Sequence, residues 1–62
     1  MPIVQIELFE GRTTDQKRRL VERVTNAIVE SVNCPPEAVT IILREMKPEN
    51  YASAGRLWTD RS

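Results

Sequence analysis

The sequence predicts a small α/β subunit of β-α-β order, with a parallel strand pair, one covering helix and a short C-terminal hairpin, assembling as an oligomer. Apolar residues alternate over Ile3–Phe9 and again over Val39–Met46, which is the period of a strand. Between them, apolar residues recur at spacings of three, four and seven, the period of an amphipathic helix. Strand, helix, strand in that order implies a right-handed crossover and parallel strands.

In the first strand, Val4, Ile6 and Leu8 share one wholly apolar face, and Ile3, Gln5, Glu7 and Phe9 share the other. Glu10-Gly11-Arg12 turns the chain. Thr13 and Gln16, three residues apart, form a capping-box pattern, and Asp15 suits the positive end of a helix that starts near Thr14. Leu20, Val21, Val24, Ala27, Ile28, Ser31 and Val32 mark its inner stripe, over about five turns. Asn33, Cys34, Pro35 and Pro36 stop it, because consecutive prolines lack amide donors and leave helical geometry. In the second strand, Val39, Ile41 and Leu43 face the helix, and Thr40, Ile42, Arg44 and Met46 face away. Lys47-Pro48-Glu49-Asn50 reads as a turn, and Tyr51 to Trp58 as a loop into a short strand or hairpin.

Sixty-two residues allow one domain, 1–62, and a domain of this size buries only about 60% of its unfolded surface. The helix covers one face of the strand pair. The other face carries Ile3, Phe9, Ile42 and Met46, and the last sixteen residues are too few and too polar to form a second layer over it. A further subunit is expected to cover that face, with Trp58 buried in an interface.

Nine Lys and Arg balance nine Asp and Glu, with a pI near 6.2, so there is no basic field for nucleic acid. A single cysteine and no histidine argue against an intrachain disulfide, a zinc or haem site, and a Cys-His nucleophile. No apolar run approaches the length of a membrane span, and no secretory pattern opens the chain, so a cytoplasmic protein without metal, cofactor, nucleic-acid or membrane partner is expected.

Chemistry near neutral pH needs a group that titrates there, and without histidine the candidates are Cys34 and the α-amine. Cys34, at a helix end before two prolines, reads as structural. An initiator methionine before a small residue is normally removed, which leaves Pro2 as a secondary amine, both base and nucleophile. Such an amine becomes a useful base when burial and nearby cations disfavour its charged form, and Ile3, Val4, Arg12 and Arg44 offer those surroundings. A retained Met1 would make the Pro2 nitrogen a non-basic amide. On composition alone, Pro2 reads as a tolerated strand-start proline.

Pro2-Ile3-Val4-Gln5-Ile6, Glu10-Gly11-Arg12-Thr13 with Gln16-Lys17, and Glu45-Met46 with Asn50-Tyr51 supply that context. Together they closely resemble the 4-oxalocrotonate tautomerase family, from Pro2 to about Leu57. The resemblance implies small β-α-β subunits assembled as homohexamers, a cleaved N-terminus with catalytic Pro2, and cofactor-free enol-keto conversion of a 2-hydroxymuconate-like 2-hydroxy-2,4-dienoate, in the setting of aromatic hydrocarbon catabolism. It implies that Arg12 grips a substrate carboxylate from a neighbouring subunit, bidentately as guanidinium can, and that Tyr51 walls the pocket where the family has an aromatic. It makes the partners a small unsaturated oxo or hydroxy acid and further copies of the chain. Thr40 departs from the pattern, standing where the best-known members carry a second arginine; Arg44, four residues on, is about 13 Å away along an extended strand.

Two other readings accompany the isomerase. A proline-dependent hydratase or dehalogenase of unsaturated acids would need a water-activating carboxylate, for which Glu10 and Glu45 are not obviously placed. A non-catalytic oligomeric module of ribbon-helix-helix type would need a second helix where residues 39–46 alternate as a strand.

Overall fold

The computed structural model describes residues 1–61. Strand β1 (Ile3–Phe9) leads into helix α1 (Thr14–Val32) and strand β2 (Thr40–Met46); strands β3 (Ala52–Ser53) and β4 (Arg56–Leu57) follow. Single 3₁₀ turns occupy Pro36–Ala38, Pro48–Asn50 and Trp58–Asp60. β1 and β2 pair in parallel, from Ile3 opposite Thr40 to Phe9 opposite Met46.

The capping box forms as the sequence predicts. Gln16 N–H donates to Thr13 Oγ1 at 3.1 Å, and Thr13 N–H donates to Gln16 Oε1 at 2.9 Å. At the other end Asn33 adopts the left-handed conformation, φ 58°, and donates its N–H to the Val29 carbonyl at 3.1 Å. The helix therefore stops before the prolines.

Two boundaries differ from expectation. β2 begins at Thr40 rather than Val39, because Val39 N–H is taken by the Pro36 carbonyl at 3.1 Å and closes the preceding turn. On α1, Thr25 and Val29 are half-buried, while Ala27, Ser31 and Val32 are exposed. A 19-residue helix is about 28 Å long against about 23 Å for a seven-residue strand, so the last turn overruns the sheet.

The helix side of the sheet presents Val4, Ile6, Leu8, Ile41 and Leu43 to Leu20, Val21, Val24 and Ile28, all half-buried. Glu45 continues the inward row of β2, and Lys17 Nζ meets its Oε1 at 2.6 Å, tying the start of α1 to the end of β2. With both side chains about one-third exposed, that pair contributes about 0.5 kcal/mol.

The far side is not left wholly bare. The turn at Pro48–Asn50 folds the chain back over the end of β1 and β2, where Phe9 packs against Tyr51 and Trp58 at ring-centroid distances of 5.5 and 5.7 Å. The expectation that the C-terminal residues could not cover this face fails at the Phe9 and Met46 end, since a few aromatic side chains cover what a regular layer would. At the other end Ile3 and Ile42 stay exposed.

Among the described residues none is fully buried. The accessible surface of 5001 Å² exceeds the roughly 4,100 Å² of a compact monomer of this mass. The radius of gyration, 14.9 Å, exceeds the about 10.6 Å expected for this length. A hydrophobic core this open provides little of the burial on which folding depends.

Candidate active site

Pro2 lies one residue before β1, half-buried, and its carbonyl accepts the N–H of Thr40 at 3.0 Å. The peptide partner on its other side, Met1, is 83% exposed. Local structure thus puts the Pro2 nitrogen at the N-terminal end of the sheet, with Thr40 as its neighbour on β2.

Arg12 sits at the opposite end of β1. Gly11 takes φ 114°, a conformation open to glycine and strained for other residues, and this turns the chain between β1 and the helix cap. Arg12 then lines a concavity of about 270 Å³ with Leu8, Gln16, Lys17 and Leu20. Lys17 is held by Glu45. Among the described residues Arg12 makes no ion pair, so its planar donor fork is available to a carboxylate.

Tyr51 also belongs to this C-terminal end, its ring edge-on to Phe9. From Pro2 to Phe9 the chain makes seven extended steps, about 23 Å. One subunit therefore brings Tyr51 and Arg12 to the same end of the sheet and holds Pro2 at the other. Arg44 lies opposite Glu7 in the register, four residues beyond Thr40, so the straight strand does not carry it to Pro2.

The remaining polar candidates have local roles. Cys34 is half-buried beside the helix cap. Glu45 is engaged by Lys17. Glu10 is exposed and continues the sheet ladder, its N–H donating to the Met46 carbonyl at 2.8 Å. The described residues include no group of three or more Cys, Asp or Glu placed to hold a metal ion, and no helix long and apolar enough to cross a membrane.

Sequence reasoning missed a second concavity, of about 310 Å³, lined by Glu7, Leu8, Phe9, Met46, Tyr51 and Trp58. It gathers all three aromatic residues of the chain. The hairpin makes it: Ala54 and Gly55, at φ 53° and 75°, form a tight turn with both central residues left-handed. That turn returns Trp58 to Tyr51, whose carbonyl accepts the Trp58 backbone N–H at 2.7 Å. The three aromatics are spread over fifty residues of sequence, and the only hint of their meeting was the apolar alternation that put Phe9 on the helix-free face.

Comparison with known proteins yields one consistent result. Residues 2–61 match the family model described as tautomerase enzyme. A 2-hydroxymuconate tautomerase of Bacillus subtilis is 42% identical over 60 residues, 97% of each chain. A protein of Halalkalibacterium halodurans named as a probable tautomerase is 44% identical over 61 residues, 98% of this chain and all of that one. The crystal structure of YwhB, a homologue of 4-oxalocrotonate tautomerase, superposes with a TM-score of 0.92 at 39% identity, over 98% of this chain and all of the other.

Proposed function

This chain belongs to the tautomerase family of enzymes, and on that premise we propose that it is a cofactor-independent isomerase converting 2-hydroxymuconate-like 2-hydroxy-2,4-dienoates to conjugated 2-oxo acids. The observation that carries the reading is the likeness to a 2-hydroxymuconate tautomerase over nearly the full length of both chains. The position of Pro2, half-buried at the strand start behind an exposed Met1, supports it.

In this mechanism removal of Met1 frees the Pro2 nitrogen. The neutral amine takes the proton of the 2-hydroxyl group. The O–H electron pair becomes the C2 carbonyl bond, the first double bond moves to C3–C4, and the pair of the second takes a proton at C5 from the Pro2 ammonium. No electrons leave the substrate, and the amine is regenerated. Arg12 binds a substrate carboxylate, and Tyr51 walls the pocket and keeps water from the amine.

The separation of about 23 Å along β1 makes this site one that two or more subunits share, Arg12 and Tyr51 of one meeting Pro2 of another. The unburied core and the exposed Ile3 and Ile42 support assembly. A homohexamer, acting in the cytoplasm on products of aromatic ring cleavage, completes the proposal.

Ultraviolet-monitored ketonisation of 2-hydroxymuconate, with protein whose mass places Pro2 first, tests it. Rapid enzyme-dependent ketonisation is the expected result; a rate equal to that of buffer overturns the reading.

A further inference from the structure

Resting on the tautomerase reading, we propose that Arg19 and Arg23, exposed on α1, form a recruitment surface for the dianionic substrate, drawing its carboxylates towards Arg12 without touching the reacting atoms.

Arg19 and Arg23 stand about one helical turn apart on one face of α1, and both are exposed. With Gln16 and Leu20 they line a hollow of about 280 Å³. Gln16 and Leu20 also line the concavity of about 270 Å³ that holds Arg12 and Lys17. The two hollows are therefore contiguous, and together they carry three arginines and a lysine and no carboxylate.

The chain as a whole is neutral, so this gathering of one sign is local. The nearby acids do not cancel it. Arg18 takes Asp15 Oδ1 at 2.7 Å, and Lys17 takes Glu45 Oε1 at 2.6 Å. Glu22, the remaining carboxylate between Thr14 and Arg23, is turned about 100° around the helix from Arg23 and lines neither hollow. Among the described residues Arg12, Arg19 and Arg23 make no ion pair. Like charges at the spacing of Arg19 and Arg23 are mildly destabilising to a helix, and guanidinium groups stay charged at all working pH values, so an anionic partner is what this surface lacks.

The reach is sufficient. From Thr14 to Arg23 the helix rises about 14 Å. That lies within the Debye length of about 30 Å at 0.01 M salt and well beyond the about 3 Å at 1 M. A dianion feels twice the attraction of a monoanion, so the gain in local concentration for a diacid is the square of that for a monoacid.

The double variant R19Q/R23Q removes both charges from an exposed surface. At about 0.01 M ionic strength, its kcat/KM is expected to fall about fivefold for 2-hydroxymuconate and about twofold for 2-hydroxypenta-2,4-dienoate, the corresponding monoacid, with the loss in KM rather than kcat. Both losses should vanish in about 1 M sodium chloride, and R19K/R23K should keep the wild-type values at either salt concentration. A low-salt kcat/KM unchanged in R19Q/R23Q overturns the inference. So does an equal loss for the two substrates, a loss in kcat, or a loss that persists at high salt. A change of oligomeric state in R19Q/R23Q, read by light scattering, also overturns it, since the arginines are then interface residues. Each of these outcomes leaves ketonisation by wild type intact and defeats this inference alone; no ketonisation of either substrate by wild type defeats the tautomerase reading and takes the inference with it.

Discussion

Thr40 donates its backbone N–H to the carbonyl of Pro2 at 3.0 Å, so the residue nearest the proposed base on the neighbouring strand is an uncharged one. In the resemblance drawn from sequence, that position carries a second arginine acting on the oxo and carboxylate end of the substrate. Its side chain belongs to the exposed face of β2, in register with Ile3, where there is room for a longer group.

The substitution T40R is therefore expected to raise kcat/KM for 2-hydroxymuconate by about tenfold, part of the roughly 3 kcal/mol that one well-aimed donor supplies in other enzymes. Steady-state kinetics of the variant against wild type decide it. A rate that is unchanged or lower would show that the site does not use charge at this position.

Pro2 is expected to be indispensable as a free amine. P2A should lower kcat by about a hundredfold, the lower range of what a positioned general base contributes, because its primary amine keeps some basicity. Protein that retains Met1, identified by mass, should be inactive, since an amide nitrogen has no available lone pair. Full activity of the Met1 form would refute the mechanism.

R12A should raise KM for diacid substrates by about tenfold or more, reflecting a lost charge-assisted hydrogen bond. The distance between Pro2 and the Arg12 end of one subunit gives a sharper test. Mixing P2A and R12A chains after dissociation and reassembly should restore activity well above either variant alone, because some sites then pair an intact Pro2 with an intact Arg12. Failure of mixed assemblies to recover any activity would place both residues in one subunit's site.

Stability should depend on protein concentration. With no fully buried described residue and about 900 Å² of surface beyond a compact monomer's, the proposed assembly supplies the burial that the subunit alone lacks. Thermal melts at increasing concentration should show a rising Tm. A Tm constant over a hundredfold dilution, with a monomeric mass, would contradict this.

A54G should stabilise the hairpin. Ala54 holds φ 53°, a left-handed conformation costing an L-residue about 1 to 2 kcal/mol, whereas glycine adopts it freely at an unfolded-state entropy cost of about 0.5 to 1 kcal/mol. The net gain of about 0.5 kcal/mol would appear as a Tm increase of a few degrees in a chain of this size. A lower Tm would mean that the Ala54 methyl group is packed in the assembly.

Local pattern determined most of the fold. Thr13 with Gln16, the alternation about Ile6 and Ile41, and the prolines after Cys34 act on backbone within a few residues, and each led to the element found. Val39 was misplaced because one hydrogen bond, from its N–H to the Pro36 carbonyl, outweighed its strand-forming side chain. The inner stripe of α1 was misjudged at Ser31 and Val32, because periodicity describes a helix face but not how far the opposing sheet reaches. The proposed roles of Pro2, Arg12 and Tyr51 rest on a motif resemblance, which composition and spacing alone do not supply. What the tertiary structure decided was distance and convergence. The extended course of β1 holds Pro2 and Arg12 at opposite ends of the strand. The left-handed Ala54-Gly55 turn brought Trp58 back to Tyr51 and Phe9, and the cleft between them joins Phe9 to residues more than forty positions further along the chain. Such meetings depend on the direction in which each connection returns the chain, a property of the folded backbone that no single stretch of sequence carries.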